Sequence, residues 1–383
     1  MNWRVVRWSG LGAIALAATV FAGWIFTLPP APPAAAAPPI AKEEAEATIA
    51  ALKPPKRARP LIAIIGINDA TETTDYLMPY GILRRADIAD VVTLATQPGP
   101  MTLFPALKVE PHATIAAFDA QHPEGADYVI VPAMSRDDDP SALQWIRSQA
   151  ARGAIVIGVC VGAKVVASAG LLDGKRATTH WYSLGELQAR HPSIRYVANR
   201  RLVVDGGVAT TTGISASMPM SLTLIEAIAG RGKAEAVGRD LGLAGWDARH
   251  DSNAFQFTRP FALTAMRNAM AFWNREPLGI ELVPGVDEVS LALVADAWSR
   301  TFRSRAVTFA DSADALATRG GIRIVPDQVA VDWPTQRRLP AISVEPPAGL
   351  LDQTLSAIGA RYAAPTADLV AMQLEYQRRA GAR

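Results

Sequence analysis

Five consecutive apolar residues, Leu61-Ile62-Ala63-Ile64-Ile65, followed by helix-spaced residues and then more apolar runs, constrain this chain most. A strand apolar on both faces belongs inside a sheet that is covered by helices on both sides. Residues 90–95, 128–131 and 154–159 read as further strands. Helical spacing over 74–86 (Tyr76, Leu77, Tyr80, Leu83) and over 140–152 separates them. Gly206-Gly207 inside a β-branched stretch reads as a hairpin turn, and 215–230 as an amphipathic closing helix. Strands alternating with helices predict an α/β fold, a three-layer sandwich on a mostly parallel sheet.

One of these strands ends in the chain's only cysteine, Cys160. The run Ala154-Ile155-Val156-Ile157-Gly158-Val159 precedes it, and a helix-like stretch from Gly162 to Gly170 follows. A nucleophile on a sharp strand-to-helix turn stands above the sheet beside free backbone N–H groups. There the helix dipole favours thiolate over thiol. The competing reading is a buried structural cysteine, since free cysteine is among the most buried residue types.

Composition narrows the partners. The chain has 383 residues, is 50% hydrophobic and 19% charged, and carries a formal charge of +2, so nothing argues for a nucleic-acid partner. One cysteine excludes an internal disulfide, and the five histidines lack metal-ligand spacing, so neither a metal nor a cofactor is expected. Residues 8–28 hold no charge and are long enough, at ~1.5 Å per residue, to span a bilayer. With Arg4 and Arg7 before it, this stretch is expected to be a transmembrane helix, single-pass in the inner membrane, with the bulk of the chain on the periplasmic side. A cleaved signal peptide, processed near Ala34 to Ala37, is the alternative. The expected organisation is an anchor over 1–28, a Pro/Ala-rich linker over 29–58, a main domain over 59–245 and a second unit over 246–383.

That second unit reads as a degenerate half-repeat of the first. Residues 279–287 echo 61–69, 289–301 echo the 74–86 helix, 306–309 echo 91–94, and 321–327 resemble 107–111; residues 354–376 read as a closing helix. The unit contains no cysteine, so it would be a half-copy without a nucleophile, or an ordinary extension with chance similarity.

The block Gly158-Val159-Cys160-Val161-Gly162-Ala163, continued by Ala169-Gly170-Leu171-Leu172-Asp173-Gly174-Lys175-Arg176-Ala177-Thr178-Thr179-His180-Trp181, resembles the PfpI superfamily of class I glutamine amidotransferase-like proteins. It is most similar to the PfpI-like domain of AraC-type regulators. The resemblance implies a flavodoxin-like fold, with Cys160 as nucleophile, His180 as acid/base and Asp75 as the carboxyl that tunes the sulfur. Val161 would contribute an oxyanion N–H. Ala133 and Met134, after Pro132, stand where many relatives carry two glycines, which reshapes that side of the pocket. The position matching Asp75 in the second unit is Ser290. Asp75 read alone is also a helix-start acid, His180 a structural histidine, and Thr178-Thr179 a strand surface.

Two functions follow from this resemblance. One is a membrane-tethered cysteine-dependent hydrolase or lyase, of amidase or glyoxalase type, acting on a small carbonyl or amide substrate. The other is a non-catalytic ligand-binding or redox-sensing domain. The partners implied are a small molecule, the membrane through the N-terminal helix, and either a second copy of the chain or an intrachain pseudo-dimer.

Overall fold

The computed structural model describes residues 19–20, 23–33, 35–342 and 345–378. A seven-stranded sheet is built from β1 (Leu61–Gly66), β2 (Asp90–Ala95), β3 (Ala113–Thr114), β4 (Tyr128–Val131), β5 (Ile155–Gly158), β6 (Leu202–Asp205) and β7 (Val208–Thr211). The spatial order is β6-β7-β5-β4-β1-β2-β3, and every neighbouring pair is parallel except the β6–β7 hairpin. Gly206 and Gly207 turn that hairpin at φ of 56° and 78°, a succession that glycine adopts without steric cost. The α/β class is as the strand–helix alternation predicts.

All six residues of β1 are buried, and the period of two sends them to opposite cores. Ile62 and Ile64 pack with Tyr76, Leu83 and Ile157 on one side; Ala63 and Ile65 pack with Phe118, Ile146 and Val165 on the other. Around the sheet lie α1 (Lys42–Ala51), α2 (Thr73–Ala86), α3 (Pro140–Ala151), α4 (Gly162–Ser168) and α5 (Ser217–Ala229). Asp139 caps α3 by accepting the Ala142 N–H at 3.1 Å, with Pro140 at the first position, where its missing donor costs nothing.

The later part of the chain adds α6 (Arg259–Met270), β8 (Glu276–Glu281), α7 (Glu288–Ser299), β9 (Ser304–Ala310), β10 (Gln328–Val329), α8 (Pro347–Tyr362) and α9 (Ala364–Gln373). β8, β9 and β10 form a small parallel sheet. α7 packs along α2, and its apolar residues join the core on that face of the main sheet. A five-stranded sheet ties the two parts together, in the order Leu316–Ala317, Arg323–Val325, Lys108–Glu110, Met101–Phe104, Asp69–Glu72. The closing helix expected over 354–376 is instead two, broken at Ala363 (φ 77°), with Pro365 in the first turn of the second helix, where its missing N–H costs nothing.

The N-terminal assignment is corrected. Residues 1–18 and 21–22 of the expected transmembrane segment lie outside the described residues. Among the described residues no helix is long and apolar enough to cross a membrane, which overturns the single-pass, periplasm-facing placement. The last turn of the segment packs on the protein itself. Ile25 is buried, the Trp24 ring lies 6.0 Å from Phe257, and Arg259 donates to the carbonyls of Phe26 and Leu28 at 3.0 and 3.2 Å. The Pro/Ala tract also runs against the fold, with Ala36 and Ala37 beside Arg201 and Trp246.

Candidate active site

β5 ends at Gly158, and two residues later Cys160 takes up φ 57°, the left-handed backbone of a strand-to-helix elbow. The turn is tight because Gly162 lies against β4: a Cβ there would stand 2.0 Å from the Val131 carbonyl oxygen. Two threonines fix it. The Cys160 N–H donates to Thr211 Oγ1 at 3.0 Å, and Thr179 Oγ1 donates to the Cys160 carbonyl at 3.1 Å. Thr178 and Thr179, read from sequence as strand surface, are therefore buried.

Cys160 is 4% exposed. Burial pushes its thiol well up, and the charges of Asp75, Glu72 and Glu375 push it further, while the Val161 N–H pulls the other way. The expectation that the helix dipole favours thiolate is thus reversed, since three acids and desolvation outweigh one short helix's N-terminus.

Asp75 sits in the first turn of α2, fully buried. Its Oδ2 accepts the Ala133 N–H at 3.2 Å, and its Oδ1 has no partner among the described residues. Glu72 caps the same helix, accepting the Asp75 N–H at 2.6 Å and the Thr74 hydroxyl at 2.9 Å. Arg300, just past the end of α7, donates to Glu72 at 2.7 Å and to Asp296 at 2.7 Å. One guanidinium thus pairs with two buried carboxyls and acts through space on a third, Asp75. Burial, with the Glu72 charge, raises Asp75 well above the usual carboxyl range. Burial also raises Glu72 against the pull of Arg300, and it pushes Asp296 up to about 7. A carboxyl raised this way holds its proton more readily than an ordinary one, which suits Asp75 to hand a proton on.

His180 lines the same cavity as Cys160, but its ring is held elsewhere. Nδ1 accepts the Tyr182 N–H at 3.3 Å, and Nε2 lies 3.1 Å from the Gln373 carbonyl. A carbonyl only accepts, so Nε2 carries the proton and the ring is neutral. Burial lowers its pKa, with the Glu375 charge opposing. Both nitrogens are committed, and no hydrogen bond joins His180 to the sulfur.

Besides Glu72 and Asp296, two groups near the cysteine were missed in the sequence. Arg300 is one. The other is Glu375, at φ 52° just beyond α9, whose carboxylate meets His250 Nε2 at 2.9 Å and takes the Gly213 N–H at 2.6 Å. Neither falls in a motif, and both come close to the cysteine only because the C-terminal part folds back onto it.

Cys160, Val161, Ala133, Met134, Glu72 and Arg300 all line a cavity of about 670 Å³; Asp75 stands one layer behind. The polar groups are buried at its floor, while exposed rings crowd its mouth, including Trp24, Phe104 and Tyr182. Such a chamber takes a small, largely apolar molecule and brings it to one thiol. Among the described residues no three His, Cys, Asp or Glu side chains gather as metal ligands.

Residues 62–227 match the DJ-1/PfpI family, in keeping with the resemblance. The isonitrile hydratase of Pseudomonas putida is 39% identical over 106 residues, 26% of this chain and 42% of that protein. The HTH-type transcriptional regulator CdhR of Pseudomonas aeruginosa is 37% identical over 86 residues, 22% of this chain and 25% of that protein. The chain thus spans less than half the length of either relative. The crystal structure of Drosophila melanogaster DJ-1beta aligns with a TM-score of 0.44 at 21% identity, covering 49% of this chain and 100% of that one.

Proposed function

We propose that the domain is a cysteine-dependent enzyme that adds water to a small, uncharged, mostly apolar substrate with an electrophilic carbon, an isonitrile being the class that fits best. The observation that carries this is a single thiol at the floor of an aromatic-mouthed chamber, with the buried carboxyl of Asp75 one layer behind it. The partial identity to an isonitrile hydratase supports the class.

As the Cys160 sulfur bonds to the terminal carbon of R–N≡C, its proton passes by way of Asp75 to that carbon, giving a thioimidate, Cys–S–CH=N–R. Water then adds to the same carbon, and one of its protons goes to nitrogen. The C–S bond breaks, the sulfur regains a proton from the hydroxyl, and R–NH–CHO leaves. The net change is R–NC + H₂O → R–NH–CHO, with Cys160 and Asp75 returned to their starting states. Activation by Asp75 contributes about 10²–10⁴-fold.

Turnover of an alkyl isonitrile to its formamide tests this directly. Cys160→Ala is expected to abolish it, and Asp75→Asn to lower kcat by at least about 10²-fold. Equal formamide production by wild type and Cys160→Ala would remove the enzymatic reading.

A ligand-binding sensor is the second reading, favoured by the committed His180 ring and the raised thiol. It predicts ligand-induced thermal stabilisation that survives Cys160→Ala with no product formed.

A further inference from the structure

One spacing, 215 positions, recurs along the described chain. Left-handed backbone at Ala70 (φ 56°) and Asp87 (47°) returns at Gly285 (78°) and Phe302 (59°). The caps Glu72 and Asp287 each accept the N–H of the residue three further on, Asp75 and Ser290. The Thr93 N–H donates to His112 Nδ1 at 3.2 Å, and the Thr308 N–H to Asp327 Oδ2 at 2.8 Å. β2 meets β3 through Leu94↔Ala113, and β9 meets β10 through Phe309↔Gln328. Met101↔Val109 and Thr102↔Lys108 return as Leu316↔Ile324 and Ala317↔Arg323. Only β8 is one residue out of step, Ile65 facing Leu94 where Glu281 faces Phe309.

The two sets of elements face each other about an axis. Val109 pairs with Ile324, its own equivalent, and Lys108↔Val325 and Glu110↔Arg323 flank it. The helices obey the same symmetry. Arg85, thirteen residues after Glu72, pairs with Asp287; Arg300, thirteen after Asp287, pairs with Glu72. Residue i meeting j while j's copy meets i's copy defines an isologous two-fold contact.

We propose that residues 276–329 are a second copy of 61–114, standing where a two-fold partner subunit would stand, and that this copy completes the single thiol site with Arg300. Only the first copy continues into a cysteine elbow, so the symmetric contact has one functional end. Arg300 is a positioning residue there: it holds Glu72, which in turn holds the Asp75 backbone. The groups facing the sulfur are Glu72 and Asp75 from α2, Arg300 with Asp296 behind it from α7, Glu375 from the C-terminal segment, and the Val161 N–H. His180 lies alongside, neutral. Removing the guanidinium strips the cation from this group and makes the thiolate harder to form.

The test uses the full chain and reads the thiol rather than turnover, so it stands apart from the isonitrile reading. Cys160 is the sole cysteine, and its iodoacetamide alkylation against pH reports it alone. Arg85→Gln and Arg300→Gln, the symmetric pair, are both expected to lower Tm. Arg300→Gln alone is expected to move the alkylation profile up by about one pH unit, a tenfold slower reaction at a fixed pH below it. Arg300→Lys should restore most of the shift, and it also serves if the glutamine variant does not fold. An unshifted Arg300→Gln profile, or an equal shift in Arg85→Gln, would overturn the role of Arg300. The doubly substituted Glu110→Cys/Arg323→Cys chain is expected to close an intrachain disulfide and run as a monomer; predominantly covalent dimers would overturn the internal-partner arrangement.

Discussion

The two ends of the α2–α7 crossing carry the same arginine–cap contact yet differ in what surrounds it. At the far end Arg85 and Arg319 share Asp287 and Asp240, so two guanidiniums meet two carboxylates, with Glu288 turned aside onto the Gly320 N–H. At the thiol end Arg300 is, among the described residues, the only guanidinium paired with Glu72 and Asp296, which lie near Asp75. At the first end cations and acids match in number, whereas at the second burial raises Asp75, Glu72 and Asp296 against the pull of a single cation. One scaffold contact thus serves as a balanced clamp at one end and lies beside a group of raised carboxyls at the other. The difference lies in Asp75, which the second unit replaces with Ser290.

The largest expected effect tests the part of the first unit that has no counterpart in the second. Gly162→Ala drives a methyl group into the Val131 carbonyl, and should cost more than about 4 kcal/mol in denaturant unfolding. A loss under about 1 kcal/mol would mean the elbow is looser than the packing implies. Next comes the axis itself. Ile324→Ala, fully buried, should cost about 2–5 kcal/mol, and Val109→Ala a little less; a large imbalance between them would break the equivalence of the two sides.

A smaller, pH-dependent effect separates the ends by charge. Asp296 rises from an ordinary 3.8 to about 7, so the folded chain binds more protons there than the unfolded chain. Stability then falls as pH climbs through that window. Asp296→Asn is expected to flatten the drop in Tm between pH 5 and pH 8; an undiminished slope would place the stored protons elsewhere. Smallest of all, Ser290→Ala removes a buried hydroxyl that has no partner among the described residues, and should change stability by less than about 0.5 kcal/mol. Set beside the loss of activity in Asp75→Asn, that near-silence would mark which copy works.

The elbow was legible because its signals are local: β-branched residues before Cys160, small residues after it, and a glycine where β4 crowds the turn. The position of Asp75 was legible through the resemblance. Its partners were not, because Glu72 reads as one acid in a polar loop and Arg300 lies 140 residues beyond the cysteine. His180 shows the opposite failure. Its place near the cavity followed from the motif, but the Gln373 carbonyl that fixes its tautomer comes from the C-terminal helices. The membrane segment misled because hydrophobicity alone cannot distinguish a stretch that faces lipid from one whose last turn packs on the chain's own aromatic residues.

By itself, the sequence determined the alternating strands and helices and the lone thiol on its turn. Those rest on periodicity and steric rules that act within a few residues. The tertiary structure alone decided how the later part of the chain meets the main sheet, which cation enters the thiol chamber, and which acids burial raises. Burial and Coulomb forces depend on distance in space, and that distance is set only when remote segments pack.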